Sequence, residues 1–95
     1  MKQYFTPSVN YYKSTNPQEL IDKYGSPLYV YSEEILRTRC REMKNLVKYK
    51  KFKPHYSTKA NANLELLKII KQEGISADAM SPGEIFVLMK AGFKA

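Results

Sequence analysis

The chain has 95 residues, enough for one small domain that buries only about 60–65% of the surface its unfolded chain exposes. Hydrophobic residues make up 43%, which allows a core and excludes wholesale disorder, and the single cysteine, Cys40, excludes an intramolecular disulfide and a thiolate metal cluster. A net charge of +7 and a pI near 9.5 admit an acidic or phosphate-bearing partner without naming one.

The opening stretch MKQYFTPSVNYYKSTN lacks the apolar run of a signal peptide, and no segment approaches the ~20 apolar residues of a membrane span. A soluble, cytoplasmic protein with no membrane partner is expected. In NPQELIDKYGSP, Asn16 can cap a helix, Pro17 suits its first position and Glu19 stands at the reciprocal capping position. Leu20, Ile21 and Tyr24 give it an apolar stripe, and Gly25 and Pro27 end it. PLYVY then reads as a short strand. Ser32 is placed to cap a longer helix, with Glu33 and Glu34 in the first turn, where the macrodipole favours acids, and the pattern carries it to about Tyr49.

Eight basic residues lie between Arg37 and Lys53, against one acid, Glu42. With tyrosines nearby, they raise the question of nucleic-acid binding. Leu36, Cys40, Met43 and Val47 keep helical spacing through the same segment, and no helix-turn-helix, zinc or RNA-recognition signature is present. The basic residues are therefore read as the solvated face of a helix and the loop after it.

Phe52 to Lys59 is the next strand candidate, although Pro54 counts against a central position. Asn61 or Asn63 caps a helix carrying Leu66, Leu67 and Ile70, stopped by Gly74. ISADAM is a second short strand. In SPGEIFVLMKAG, Ser81 caps, Pro82 takes the first turn, Glu84 completes a capping box and Gly92 ends the helix. From Phe52 onward the order is strand, helix, strand, helix, the spacing of βα units in a parallel sheet. Two such strands leave unpaired edges on both sides, and a closed barrel needs about 250 residues. The division expected is an N-terminal helix and strand segment, 1–31, followed by a first helix and two βα units, 32–95.

In a βα barrel, catalytic side chains gather at the C-terminal ends of the strands. Lys59 ends the first strand and Asp78 lies near the end of the second. Alternation places His55, Ser57 and Lys59 on one face of the first, and Ser76, Asp78 and Met80 on one face of the second. A lysine beside an acid and shielded from water suits Schiff-base chemistry. A solvated lysine, a solvated aspartate and a Glu84 that only caps its helix are the plainer readings of the same residues.

YGSPLYVYSEEILRTRCREM, HYSTKANAN and ISADAMSPGEIFVLMKAGF, in that order, closely resemble the N-terminal part of diaminopimelate decarboxylases, from about Leu20 to the end of the chain. These are pyridoxal-phosphate enzymes with an alanine-racemase-like barrel. The resemblance implies the opening βα units of a TIM-type (β/α)8 cofactor-binding barrel, incomplete in these 95 residues. It implies that Lys59 holds pyridoxal phosphate covalently, that Asp78 lies beside the cofactor and that Glu84 stands near the lysine end of the site. Ser57 occupies the place of a small residue, usually alanine, that packs against the cofactor, and Pro82 replaces a common glycine.

The implied reaction is decarboxylation of an amino acid. The substrate's amine displaces Lys59, the carboxylate on the same carbon leaves as carbon dioxide, and Lys59 takes the cofactor back as product departs. For the resembled family the substrate is meso-diaminopimelate, the product is L-lysine, and the full-length enzyme is a homodimer. The family's glycine-rich phosphate loop, ring-nitrogen acid, stacking histidine and second domain have no counterpart in these residues, so the piece alone is expected to be inactive. An ornithine- or arginine-type decarboxylase shares the barrel and the lysine. A non-catalytic basic binding module derived from such a fragment is the reading from another class.

Overall fold

The computed structural model describes residues 12, 13 and 15–95. The opening stretch, in which a signal-peptide core was sought, lies mostly outside the described residues. The chain divides into two compact units, Met1–Ser32 and Glu33–Ala95.

In the first unit, α1 spans Pro17–Tyr24. The Asn16 side chain accepts from the Gln18 N–H at 2.9 Å, and the Gly25 N–H closes the helix on the Ile21 carbonyl. The strand expected over PLYVY is not formed among the described residues, and Tyr29 is 87% exposed. β-branched and aromatic residues make a strand only where a partner accepts their backbone hydrogen bonds, and the described residues of this unit contain no other strand.

The second unit holds α2 (Glu33–Lys44), β1 (His55–Ser57), a 3-10 turn (Thr58–Ala60), α3 (Leu64–Gln72), β2 (Ser76–Asp78) and α4 (Pro82–Ala91). Helix α2 stops five residues short of the expected Tyr49. The Asn45 side chain donates to the Arg41 carbonyl at 2.9 Å, satisfying a terminal acceptor, and the lysine-rich stretch that follows leaves the helix. Val47, expected on the apolar stripe, is instead half exposed in the loop.

The two strands pair in parallel, with His55, Tyr56 and Ser57 opposite Ser76, Ala77 and Asp78. Tyr56 and Ala77 turn to the helix-covered side, where Leu67, Leu88 and Ala91 form one buried cluster between α3 and α4. Cys40, Ile70 and Ile75 form another beside α2, and Tyr56 and Phe93 pack against both. Cys40 is buried, as its place on the helix face predicts, and burial pushes its thiol pKa up.

Two helix ends aim the chain into this core. After α3, the Gly74 N–H bonds the Lys71 carbonyl and the Ile75 N–H the Ile70 carbonyl; after α4, the Gly92 N–H bonds Met89 and the Phe93 N–H bonds Leu88. Both are Schellman closures, with glycines at φ 80° and 101°. Each places the next residue, Ile75 or Phe93, in the hydrophobic clusters.

Candidate active site

Alternation on the two paired strands puts His55, Ser57, Ser76 and Asp78 on the sheet face opposite Tyr56 and Ala77. Ser57 and Asp78 are register partners on adjacent strands, so their Cα atoms are about 5 Å apart. Both stand at the C-terminal ends of their strands, where the chain leaves for the loops that start α3 and α4.

Lys59 differs from expectation in one respect. The strand ends at Ser57, and Lys59 sits in the middle of the 3-10 turn Thr58–Ala60. Pairing ceases where β2 ends at Asp78, so nothing holds the next residues extended. Strand alternation therefore does not carry Lys59 onto the Ser57 face. It is exposed, at the same end of the sheet as Asp78, and no ion pair joins the two among the described residues.

The loop carrying Lys59 is ordered by four hydrogen bonds of the Tyr56, Asn61 and Asn63 side chains. The Tyr56 hydroxyl donates to the Asn61 carbonyl at 3.0 Å. The Asn61 side chain accepts from the Asn63 N–H at 3.0 Å. The Asn63 side chain in turn accepts from the Glu65 and Leu66 N–H groups, and is the cap of α3. Of the two capping candidates in the sequence, Asn63 takes the cap and Asn61 shapes the turn before it.

Glu84 is half buried at the start of α4, with both carboxylate oxygens engaged. One accepts from the Met80 N–H at 3.1 Å and the other from the Ser81 hydroxyl at 3.3 Å, while the Ser81 oxygen accepts from the Glu84 N–H at 3.1 Å. This is a capping box reaching one residue further back than the usual form. Glu84 thus orders the loop between Asp78 and α4.

Sequence reasoning did not single out Tyr56 or Thr58. The signal for Tyr56 was its alternation partner relation to Ser57, which turns it inward with a hydroxyl that needs an acceptor. Thr58 is completely buried, and its Oγ1 finds no hydrogen-bond partner among the described residues.

Residues 33–95 match the family described as "Pyridoxal-dependent decarboxylase, pyridoxal binding domain". That match covers the whole second unit, with both strands and the Lys59 turn. The chain belongs to the pyridoxal-dependent decarboxylases. Among its relatives in that family, a diaminopimelate decarboxylase of Methanothermobacter thermautotrophicus is 43% identical over 77 residues, covering 79% of this chain and 18% of that protein. The diaminopimelate decarboxylase of Bacillus methanolicus is 38% identical over 77 residues, with the same coverage. That of Bacillus subtilis is 35% identical over 78 residues, covering 80% of this chain and 18% of its own. The chain spans about a fifth of the length of the curated relatives it matches.

Proposed function

We propose that this chain is the N-terminal part of a pyridoxal-phosphate-dependent amino-acid decarboxylase, and that meso-diaminopimelate is the substrate and L-lysine the product. The observation that carries the reading is Lys59, an exposed primary amine on a braced turn at the C-terminal end of a parallel strand, inside the segment that matches the cofactor-binding family. The names of the relatives support the choice of substrate.

The residues fit one side of the cofactor. An uncrowded lysine amine suits an aldehyde carbon. Ser57 is small enough to leave room against a flat ring, and Asp78 places a carboxylate on the adjacent strand end. Bound pyridoxal phosphate supplies a ring that accepts the electron pair left when a carboxylate departs as carbon dioxide. Lys59 would hold the cofactor, and its amine is the group at hand to move a proton at the substrate carbon. Asp78 provides negative charge at the strand ends, and Glu84 holds the loop behind it. The parallel pair is read as the opening of a (β/α)8 barrel, whose further strands would cover the polar sheet face. A cytoplasmic homodimer is the assembly proposed for the full-length enzyme.

The test is to incubate the natural polypeptide with pyridoxal phosphate, reduce with borohydride, and map the modified peptide. Label on Lys59, lost in Lys59→Ala, is expected, with carbon dioxide released from meso-diaminopimelate and not from ornithine or arginine. Release from ornithine or arginine instead would reassign the substrate; label elsewhere would remove Lys59 from the site. The 95-residue chain alone is expected to release none.

A second reading rests on Lys44, Lys48, Lys50, Lys51 and Lys53, none of which forms an ion pair among the described residues, whereas Arg37, Arg39 and Arg41 all do. A basic module would shift nucleic acid in a salt-dependent way, and charge reversal at Lys48, Lys50 and Lys51 would abolish the shift.

A further inference from the structure

The turn that carries Lys59 is tied to the hydrophobic core by one side chain. The ring of Tyr56 packs against both buried clusters, the one around Cys40, Ile70 and Ile75 and the one around Leu67, Leu88 and Ala91. Its position is therefore fixed by three helices at once. From there its hydroxyl crosses the chain reversal and donates to the main-chain carbonyl of Asn61 at 3.0 Å, in a half-buried setting. Lys59 lies midway between these two residues.

We infer that Tyr56 is a positioning residue for Lys59: its hydroxyl closes the 56–61 loop and presets where the lysine amine emerges, and the conformation costs less to reach when the aldehyde of pyridoxal phosphate arrives. This rests on the reading of Lys59 as the cofactor-attaching lysine.

The physical case has three parts. First, the 3-10 turn is too short to hold itself. It spans three residues, its N-terminal flank Ser57 supplies no side-chain cap, and 3-10 hydrogen bonds have poor geometry. Second, the Asn61 and Asn63 side-chain bonds lie on the far side of the loop. The Asn61 side chain binds the Asn63 N–H, and Asn63 caps α3, so both order the entry to the helix. The Tyr56 side-chain bond spans the lysine, alongside the turn's own short 3-10 backbone bonds. Third, the acceptor is a backbone carbonyl, so the bond restrains the main chain itself. A lysine side chain has four rotatable carbons, and fixing its root removes one source of scatter in the amine's position.

Tyr56→Phe tests this, because it keeps the ring in the core and deletes only the hydroxyl. Two readouts on the natural polypeptide are needed, both at a temperature where wild type and variant are fully folded. Backbone amide exchange across 58–62 is expected to speed up by roughly 2- to 10-fold, the equilibrium equivalent of one net hydrogen bond, while exchange in α3 and α4 stays unchanged. The rate at which Lys59 is trapped by pyridoxal phosphate and borohydride is expected to fall by a similar factor. Asn61→Ala, which leaves the carbonyl in place, is expected to slow trapping less than Tyr56→Phe does.

A variant that loses thermal stability but keeps wild-type exchange at 58–62 and wild-type trapping would overturn the inference, leaving Tyr56 as core packing. The Lys59→Ala control separates this from failure of the functional reading. If wild type shows no Lys59 adduct, pyridoxal chemistry at this lysine is refuted, and unchanged exchange in Tyr56→Phe would then refute the brace as well.

Discussion

Thr58 is the residue whose energetics are least expected. It is fully buried next to Lys59, and its hydroxyl has no partner among the described residues. A buried hydroxyl without a hydrogen bond forfeits its hydration and gains nothing, a cost of about 1–3 kcal/mol. Val has the same shape without the polar atom. Thr58→Val is expected to stabilise the fold by about 1 kcal/mol, seen as a higher urea midpoint at unchanged slope. A lower midpoint would mean that a polar group or water reaches this hydroxyl. In the sequence, Ser81 was legible as a cap, and Asn63 as one of two candidates with Asn61, because capping depends on local spacing. The burial of Thr58 and the turn geometry of Lys59 were not. Both depend on where β2 stops, which is set by pairing between segments about twenty residues apart.

At the scale of elements, α2 and α3 are held by an acid between two arginines. The Glu73 carboxylate accepts from Arg41 Nε at 2.7 Å and from Arg37 Nη1 at 3.0 Å, and Arg37 also reaches the Gln72 side chain at 2.8 Å. The Arg41 and Arg37 guanidinium groups hold the Glu73 carboxyl below its usual range, and Glu73 raises Arg37 further above its own. A carboxylate depressed on folding adds stability that is present above its unfolded pKa and lost as pH falls through its folded one. Arg37 stays charged throughout, so the acid limb belongs to Glu73. Glu73→Gln is expected to lower the unfolding midpoint at neutral pH, with the gap to wild type closing as pH falls below the ordinary glutamate range and through the depressed folded pKa. A gap independent of pH would assign the effect to shape. The next residue offers a second test. Gly74 has φ 80°, and a Cβ there would stand 2.9 Å from Lys44 Nζ. The flexible lysine can move away but the backbone strain cannot, so Gly74→Ala is expected to cost about 1–2 kcal/mol of stability. The glycine as a helix stop was plain in the sequence; the clamp was not, because its arginines looked like part of a solvated basic face.

For the whole molecule, the decisive feature is what lies beside the two strands. Among the described residues, each strand pairs on one edge only. A groove of about 610 Å³ bounded by Ile85, Leu88, Met89 and Phe93 lies along β2, and one of about 370 Å³ bounded by Leu36, Cys40, Met43, Ile70 and Ile75 lies along β1. Helix α4 is apolar on nearly every face, with Leu88 buried but Ile85, Phe86 and Met89 at 51%, 62% and 68% exposed. A helix greasy all round is normally covered all round, and an unpaired parallel edge beside an apolar groove is a template for another strand. These surfaces were foreshadowed by the sequence, where two parallel strands could not satisfy their own edges. The 95-residue chain studied alone is therefore expected to self-associate, with a sedimentation coefficient that rises with concentration. Placing charge on the exposed stripe, with Ile85→Lys and Met89→Glu together, is expected to reduce that association without disturbing the buried Leu67–Leu88 contact side. A monomer at every concentration that unfolds cooperatively would show instead that the open edges and grooves are tolerated as they stand, and the case for further strands covering them would lose its physical ground.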